Sequence, residues 1–354
     1  MALISKKKIP VEISEGLRSY LKSYGREVEV PIEYADLLRY ENAIPLYDTS
    51  GNDTLWETVF YAQADMEEVN HALKTVYAVL KADGDLRVME HLNVDRVDLC
   101  TYGNTQPFRV RIVNQINDNF DYFYVKHADA SRIYGLELEH LLSPNRINYH
   151  VRIDTLIEEH IIGIPGDAFI KYHLNDAKLN EIRLAKEFVK FNERCFVRLL
   201  GDMHSSNFVV DVTPDFEEVT YRLKSIDFDQ QSYEGRKNIY LPQYFKQNNP
   251  LIALGLKHMT PETVKQYRKE ERALIAKRIK AEKGRIDDLL TAMCADTLST
   301  EDRIEQLSKE LSAYYQDDRF LQCKNMGEIV KLSMWMVIDR PNLYDDNFMS
   351  SGKD

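Results

Sequence analysis

The hydrophobic period of this 354-residue chain changes from two to about 3.6 near its middle, and this change constrains the fold more than any other feature. Across residues 94–160 apolar and polar residues alternate, as in Phe108, Val110 and Ile112 with arginines between them. Such alternation is typical of half-buried strands. Beyond the turn-rich segment 161–167, apolar residues recur at helical spacing. Strands followed by helices predict an α+β fold with two lobes.

The first half contains predicted strands that are close together in sequence and separated by turn residues. Three consecutive strands of this kind indicate an antiparallel meander. The predicted elements are, in order, a helix that begins at Asp65 and ends at Gly84, strands at Val94–Cys100, Phe108–Ile112 and Tyr122–Lys126, a helix at Ala130–Leu142, and strands at Ile147–Ile153 and Thr155–His160. Residues 1–60 mix short apolar segments with prolines, which indicates short helices and loops.

The second half is predicted to be mostly helical, with one hairpin. Its predicted elements are a helix marked by Leu179, Ile182, Ala185 and Val189, a short apolar strand at Phe196–Leu200, a hairpin of Phe208–Val210 and Tyr221–Ile226 around Pro214, and helices over about 260–340. Residues 265–285 hold nine Lys or Arg and three Glu. We interpret this stretch as a solvated helix face. Its inward residues are then Leu274, Ile275, Ile279, Ile286 and Leu289. A surface for an acidic partner or a nucleic acid is the alternative.

Composition disfavours several classes of function. The chain has 46 Lys and Arg against 57 Asp and Glu, and this formal net charge of −11 disfavours a surface dedicated to nucleic acid. No apolar run approaches the ~18 residues that identify a transmembrane helix, so no membrane partner is expected. The four cysteines are far apart in sequence, and we interpret them as reduced thiols of a cytoplasmic protein.

The segment Gly201-Asp-Met-His-Ser-Ser-Asn207 carries the clearest chemical signal. Asp202 and Asn207 lie in a loop between apolar segments, and Asp227 follows the next apolar strand in Ile226-Asp-Phe-Asp229. Loop carboxylates at strand ends can converge on one cleft, and carboxylate and amide oxygens suit Mg²⁺. Asp, Asn and Ser are also common turn residues, and a turn is the alternative for each of them alone.

The run LLGDMHSSNFVV followed by IDFD resembles the catalytic loop and metal site of the aminoglycoside phosphotransferase and choline kinase group, which has the protein-kinase-like fold. The five-residue spacing from Asp202 to Asn207 is also that of protein kinases. The resemblance implies that Asp202 is the catalytic aspartate beside the acceptor hydroxyl and that Asn207 and Asp227 bind Mg²⁺. It also implies a structural role in the loop for His204. Asp229 either adds an outer contact to the metal site or faces solvent.

Segments upstream of this loop resemble the same family in the expected order. Tyr122-Phe-Tyr-Val-Lys126 resembles the strand whose lysine binds the phosphates of the nucleotide, so the resemblance implies that role for Lys126. It implies that Glu137 on the next helix pairs with this lysine. Glu139 on the same helix is the alternative, because the helix phase does not select one of the two.

The hinge and the phosphate-covering loop complete the implied nucleotide site. Leu156–Gly163 resembles the hinge, where backbone groups near Glu159 and Ile161 would contact adenine. The covering loop at Thr101–Pro107 contains only one glycine, Gly103, instead of a glycine-rich motif. Backbone N–H groups for the phosphates are still offered by Asn104, Thr105 and Gln106.

Four features depart from the family pattern. Leu200 stands where the family has a histidine, and Ser205-Ser206 replaces the common Pro-Gly. The gap from Asn207 to Asp227 is longer than usual, and the predicted hairpin accounts for it. No APE-like segment follows Asp227, which argues against an ordinary protein kinase.

The resemblance implies a bilobal protein-kinase-like fold with four segments. These are a helical accessory region at 1–93 that caps the N-lobe, an antiparallel-sheet N-lobe with the hinge at 94–163, a mainly helical C-lobe at 164–340, and a tail at 341–354. The implied activity is a kinase that transfers the γ-phosphate of ATP, with Mg²⁺, to a hydroxyl of a small-molecule acceptor. An atypical protein kinase and a catalytically inactive nucleotide-binding or interaction protein are the alternatives. The acceptor, the choice between ATP and GTP, and the oligomeric state are left open.

Overall fold

The structure is a computed structural model that describes residues 8–82, 84–101, 105–214 and 219–339. Contacts within the chain divide it into two compact units, Met1–Ala130 with Ile147–His160 and Ser131–Arg146 with Ile161–Asp354. An antiparallel sheet lies in the first half and helices dominate the second, so the predicted α+β class is confirmed. The expected boundary at residue 93 does not divide these units, because residues on both sides of it belong to one sheet.

The first unit is built on one large sheet. Its strands are β1 (Asn42–Tyr47), β2 (Asp53–Phe60), β3 (Leu92–Leu99), β4 (Phe108–Asn114), β5 (Phe120–His127), β6 (Tyr149–Arg152) and β7 (Thr155–Glu159). They form a seven-stranded sheet in the order β1-β2-β3-β4-β5-β7-β6, and every neighbouring pair is antiparallel. The helices of this unit are α1 (Glu15–Ser23), α2 (Tyr34–Leu37) and α3 (Gln63–Lys81).

The predicted meander is confirmed as β3, β4 and β5, but the prediction of short helices and loops over residues 1–60 is wrong for β1 and β2. Four of the six residues of β1 are exposed, and this strand lies at the edge of the sheet. A strand with so little buried surface shows no period-two pattern that a sequence reading can detect. β2 pairs with β3 and joins the N-terminal region to the sheet.

Helix α3 and one face of the sheet form the core of the first unit. The predicted apolar positions Val69, Leu73, Val76 and Leu80 are all buried there. The helix begins at Gln63 rather than Asp65 and has no side-chain cap. Gly84, at φ 81°, follows its end in the left-handed conformation that glycine adopts without strain. The helical period therefore identified the buried face correctly, while the predicted capping residue was wrong.

The opposite face of the sheet carries polar side chains in register. Asp98 pairs with Arg109 across β3 and β4, Arg109 pairs with Tyr124 across β4 and β5, and Tyr124 pairs with Glu158 across β5 and β7. Lys126 is two residues beyond Tyr124, so it lies on the same face. Strand alternation thus positions the predicted phosphate-binding lysine on the polar face, away from the core.

The second unit is mainly helical. Its helices are α4 (Ala130–Leu142, which begins at the last residue of the first unit), α5 (Gly166–Tyr172), α6 (Glu181–Val197), α7 (Asn249–His258), α8 (Pro261–Ala281), α9 (Lys283–Ala295), α10 (Glu301–Tyr315) and α11 (Met326–Asp339). A three-stranded antiparallel sheet is formed by β8 (Ile164–Pro165), β9 (Phe208–Pro214) and β10 (Val219–Ser225), with β9 in the centre. None of the described helices is long and apolar enough to span a membrane.

The helix at Ala130–Leu142 and the hairpin are confirmed, but the predicted strand at Phe196–Leu200 is wrong. Helix α6 continues to Val197, and its last seven residues are all buried. Burial on every side removes the polar face that would mark a helix, and a short apolar run is then indistinguishable from a buried strand. Leu200 alone forms an isolated β-bridge, with Gln231.

The basic stretch at 265–285 occupies α8 and the start of α9. Its predicted inward residues are buried except Leu274, which is exposed. Two of its arginines are also buried: Arg268 and Arg272 donate to the two carboxylate oxygens of Glu193 on α6, at 2.8 and 2.5 Å. The interpretation as a helix face is confirmed, but part of its charge is neutralised inside the unit rather than solvated.

Candidate functional site

Two segments of the second unit meet at the predicted catalytic loop. Leu200 and Gln231 form their antiparallel bridge there, and the backbone N–H of Gly201 donates to the carbonyl of Gln230 at 3.2 Å. A Cβ atom at Gly201 would lie 3.1 Å from that carbonyl oxygen, so glycine permits the close approach. These contacts bring the loop after α6 beside the segment after β10, although the residues that touch are far apart in sequence.

The loop itself is closed by hydrogen bonds to the backbone of Asp202. Asp202 adopts a left-handed backbone, at φ 61°, and its N–H donates to the carbonyl of Ile239 at 3.1 Å. Its carbonyl accepts from the N–H of His204 at 2.9 Å and from Nδ2 of Asn207 at 2.8 Å. Because Nδ2 of Asn207 is used inside the loop, its amide oxygen Oδ1 is the atom that is able to bind a cation.

The third predicted residue, Asp227, is tied to the same loop. The N–H of Ile226 donates to the carbonyl of Asn207 at 3.0 Å, and Oδ1 of Asp227 accepts from the N–H of Asp229 at 3.0 Å. The structure therefore brings Asp202, Asn207 and Asp227 together within the second unit. This convergence is the arrangement that the sequence predicted for them.

Carboxylates outnumber the cations that pair with them at this site. Burial, together with the nearby carboxylates of Asp227 and Glu234, raises the pKa of Asp202 to about 7. Glu234 is offset in part by Arg303, at 3.5 Å. The side chains of Asp202 and Asp227 are 21% and 36% exposed, so a ligand can reach both. Neighbouring carboxylates create a negative potential that a bound cation or proton relieves.

His204 fits the structural role that the resemblance implied. Its Nδ1 accepts from the backbone N–H of Ser206 at 3.3 Å, and its ring packs against Phe245. Its Nε2 lies 4.0 Å from Oδ2 of Asp202, too far for a hydrogen bond. Burial lowers the pKa of His204, so the imidazole is neutral near pH 7 and leaves the negative charge of the site unchanged.

The structure adds one residue to this site that sequence reasoning missed, Arg132 on α4. Its guanidinium is buried and donates to Oδ1 of Asp229 at 2.7 Å, to Oδ1 of Asp227 at 3.1 Å and to the carbonyl of Ile226 at 3.3 Å. Nothing in the local sequence marks this arginine, because its partners are more than 90 residues away. Asp229 is thereby shown to face a buried cation.

The donor set of the site suits magnesium. Among the residues that the structure describes, no group of three or more His, Cys, Asp and Glu side chains is arranged to hold a metal ion. The predicted ligands are one amide oxygen, from Asn207, and one carboxylate, from Asp227. Mg²⁺ commonly takes one or two carboxylates and completes its octahedron with water and substrate phosphates. The residues present therefore fit a metal that arrives with a nucleotide better than a metal held by protein alone.

In the first unit, Lys126 pairs with a carboxylate that the sequence did not indicate. Its Nζ lies 2.7 Å from Oε2 of Glu158 on β7, and both side chains are more than nine-tenths buried. The ring of Tyr124 lies beside the ammonium, at 5.3 Å from its centroid. Register explains the pair, because Glu158 is directly opposite Tyr124 and therefore diagonal to Lys126 on one face of the sheet.

The two helix glutamates proposed as partners of Lys126 have arginine partners in the second unit. Oε2 of Glu137 accepts from Arg285 at 2.7 Å. Glu139 pairs with Arg198 and also accepts from Nδ2 of Asn145 at 2.9 Å. The pairing of Lys126 with either glutamate stays a prediction. The ion pairs found are Lys126 with Glu158, Glu137 with Arg285, and Glu139 with Arg198.

The two predicted hinge residues, Glu159 and Ile161, belong to different units. Glu159 ends β7 in the first unit, where its Oε1 accepts from the N–H of Asn148 at 2.6 Å and its Oε2 pairs with Lys81 at 3.2 Å. Its side chain is thus bound to α3 and to the residue that precedes β6. Ile161 begins the connector of the second unit and is partly exposed. Their contact with adenine stays a prediction.

The predicted phosphate-covering loop is described only at its ends, since Gly103 and Asn104 lie outside the described residues. Thr105 is buried. Gln106 has a left-handed backbone, at φ 41°, and its carbonyl accepts from the hydroxyl of Tyr34 at 2.9 Å. The described part of the loop is therefore anchored to the first unit.

Comparison with known proteins does not assign this chain to a family. A scan against models of protein families finds no match, and a search of curated proteins finds none either.

Proposed function

We propose that this protein is a Mg²⁺-dependent phosphotransferase that moves the γ-phosphate of ATP to a hydroxyl group of a small molecule. The observation that carries the proposal is the convergence of Asp202, Asn207 and Asp227 in one negatively charged site of the second unit. The sequence resemblance to the aminoglycoside phosphotransferase and choline kinase group predicted the same three residues, and their proximity supports a protein-kinase-like arrangement.

The chemistry of the residues supports a division of roles. Asp202 would accept the proton of the acceptor hydroxyl as its oxygen bonds to the γ-phosphorus and the bond from that phosphorus to the bridging oxygen breaks, which leaves ADP. A carboxylate whose pKa is about 7 has the basicity that general-base catalysis requires at neutral pH. Mg²⁺ bound to Asn207 and Asp227 would neutralise phosphate charge. Most of the catalysis would come from positioning and charge, as is usual in phosphoryl transfer.

Lys126 would supply positive charge to the phosphates, as the sequence resemblance implies. Its pairing with Glu158 supports this role, because a buried carboxylate holds the ammonium in one orientation. A lysine is a compact point charge that suits phosphate oxygens.

The first test is a thermal-shift titration with ATP and GTP, each with and without Mg²⁺. A ligand that binds only the native state at a hundred times its Kd stabilises the protein by about 2.7 kcal/mol. We expect a Mg²⁺-dependent rise in Tm that disappears in Asp227→Asn. Asp287→Asn, which changes an exposed carboxylate of the same unit, is the matched control and retains the shift.

An acceptor screen then follows with the nucleotide that binds. If no nucleotide raises the Tm, the phosphotransferase proposal is wrong, and a non-catalytic interaction protein becomes the better hypothesis. If Asp227→Asn keeps the Mg²⁺-dependent shift, the assignment of Asp227 as a metal ligand is wrong.

A further inference from the structure

Helix α4 holds the segment Ile226–Gln231 through three neighbouring positions. The hydroxyl of Ser131 donates to the carbonyl of Gln231 at 2.7 Å. A Cβ atom at Gly135 would lie 3.0 Å from Cβ of Phe228, so the helix approaches the segment closely at this glycine. Between these two contacts, the guanidinium of Arg132 donates to both carboxylates of the segment. The helix therefore fixes the backbone and the charged side chains together.

The contacts of Arg132 distinguish the two carboxylates. Its Nη1 is 2.7 Å from Oδ1 of Asp229 and 3.1 Å from Oδ1 of Asp227. The side chains of Arg132 and Asp229 are 3% and 11% exposed, whereas that of Asp227 is 36% exposed. Arg132 and Asp229 thus form the buried ion pair, and Asp227 is the carboxylate nearer to solvent. Both carboxylates contact the guanidinium, and Asp227 is the one of the two that a cation reaches more easily from solvent.

We propose that Arg132 is a positioning residue for the metal, which holds the carboxylate of Asp227 in the orientation that binds Mg²⁺. The inference rests on the proposed function, because it takes Asp227 as a metal ligand. The hydrogen bonds from Arg132 and from the N–H of Asp229 both go to Oδ1 of Asp227, so they restrict the rotation of its carboxylate. Groups that orient a metal ligand typically contribute about 10- to 100-fold to metal affinity.

A guanidinium beside a metal ligand has two opposing effects. It orders the carboxylate, which strengthens metal binding, and its positive charge repels the metal, which weakens it. The shorter contact to Asp229 favours ordering, because that carboxylate neutralises the guanidinium on the buried side. The sign of the effect of removing Arg132 therefore separates the two possibilities.

The experiment compares the wild-type protein with Arg132→Gln and Arg132→Lys. The readouts are the Mg²⁺ concentration that gives half-maximal ADP binding, measured by calorimetry, and the affinity for ADP in EDTA. In Arg132→Gln we expect the Mg²⁺ requirement to rise about tenfold or more, with ADP affinity in EDTA within about twofold of wild type. The Mg²⁺ requirement of Arg132→Lys should lie between those of the wild type and Arg132→Gln, because one ammonium does not reproduce the two-pronged hydrogen bonding of a guanidinium.

Arg268→Gln is the matched control. Arg268 is also a buried arginine of the second unit that pairs with a glutamate, Glu193, and contacts the hydroxyl of Tyr314 at 2.8 Å. Its loss tests whether removing any buried guanidinium changes Mg²⁺ binding through general destabilisation. We expect a lower Tm and an unchanged Mg²⁺ requirement.

The outcomes separate the two proposals. If the wild-type protein shows no Mg²⁺-dependent ADP binding, the proposed function and this inference are both overturned. If the wild type shows it and Arg132→Gln has the same or a lower Mg²⁺ requirement, only the role of Arg132 is overturned. Should Arg132→Gln not fold, Arg132→Lys replaces it. A Mg²⁺ requirement that does not rise in that variant overturns the inference as well.

Discussion

The polar face of the first unit and the candidate site of the second unit both collect ionisable side chains, but they balance their charge differently. On the sheet of the first unit, the fully buried Asp98 has two arginines within 2.8 Å, Arg96 and Arg109. Glu158 likewise lies beside Lys126. Each of these carboxylates has a cation at hydrogen-bonding distance, so this face is electrostatically satisfied by its own residues.

The site in the second unit has an excess of carboxylates. Asp227 and Glu234 raise the pKa of Asp202, which shows that their charges are not fully offset. Arg132 contacts both Asp229 and Asp227, so one guanidinium is shared between two carboxylates. A balanced network mainly contributes stability and order, whereas an unbalanced one gains free energy when a cation or a proton binds. This difference favours the site in the second unit as the one that binds a cation.

Asp202→Asn is the change with the largest expected effect. It keeps the size of the side chain and removes the proton acceptor, so we expect phosphoryl transfer to fall by about 10²- to 10⁴-fold, the usual contribution of a general base. Nucleotide binding should persist, because Asp202 is not a proposed metal ligand. Single-turnover transfer and Mg²⁺·ATP affinity are measured side by side. Transfer within tenfold of wild type contradicts the role of Asp202.

Asp98→Ala tests whether the balanced network of the first unit is structural. It leaves Arg96 and Arg109 without their shared carboxylate, and breaking a buried ion pair in this way costs about 3 kcal/mol or more of unfolding free energy. Urea unfolding in a Trp335→Phe background follows the fluorescence of Trp56, whose ring lies 4.4 Å from the Arg109 guanidinium.

Asp95→Ala is the control for that measurement. Asp95 pairs with Arg111 at the more exposed end of the same strands, and such a pair contributes about 0 to 1 kcal/mol. Equal destabilisation by the two variants contradicts the view that burial makes the Asp98 network important.

Lys126→Met separates a role in stability from a role in nucleotide binding. A hydrogen bond to a charged group contributes about 1.5 to 3 kcal/mol, so ATP affinity should fall by about tenfold or more. Calorimetry measures it, and Lys22→Met on the exposed part of α1 is the control. The variant also leaves Glu158 buried without its ammonium, and a lower Tm with unchanged ATP affinity indicates a purely structural lysine.

The smallest expected effect concerns the pH dependence of the first unit. Burial, helped by Arg26, lowers the pKa of His150 on β6 from 6.5 to about 4. Between pH 6.5 and 4 the unfolded chain therefore binds more protons than the folded one, so stability decreases as the pH falls through this range. Between pH 6.5 and 5 the wild-type protein loses unfolding free energy, and we expect His150→Gln to remove about 1 to 2 kcal/mol of that loss.

Urea midpoints at these two pH values measure that effect. His160 contributes in the same direction, because burial also lowers its pKa, so the loss is reduced rather than abolished. His71→Gln, at an exposed position of α3, should leave the pH dependence unchanged. An unaltered pH dependence in His150→Gln contradicts the assignment.

Local pattern was sufficient for much of the fold. The strands β3 to β5, the helix α4 at Ala130–Leu142 and the hairpin of β9 and β10 all have either a clear period or turn residues at their ends, and all were predicted. The pattern failed where burial was extreme. The edge strand β1 has too little buried surface to show a period, and the end of α6 is buried on every side.

Some residues of the candidate site were likewise predictable from local sequence, and others were not. Asp202 and Asn207 belong to one short loop, so their spacing alone was informative. Arg132 meets Asp227 and Asp229 across 95 and 97 residues, and no local pattern indicates such a partner. Glu158 meets Lys126 only because the register of β5 and β7 makes them diagonal neighbours.

The sequence by itself determined where apolar and polar residues alternate, where apolar residues recur at helical spacing, and which polar residues lie in the loop at 201–207. It did so because period and spacing are local properties. The tertiary structure alone decided which charges meet, since an ion pair between distant elements depends on strand register and helix packing. Glu137 illustrates this: its helix was predicted correctly, yet its partner is Arg285, 148 residues away. Local sequence was thus sufficient to indicate the candidate residues, whereas tertiary packing determines which charged partners they have.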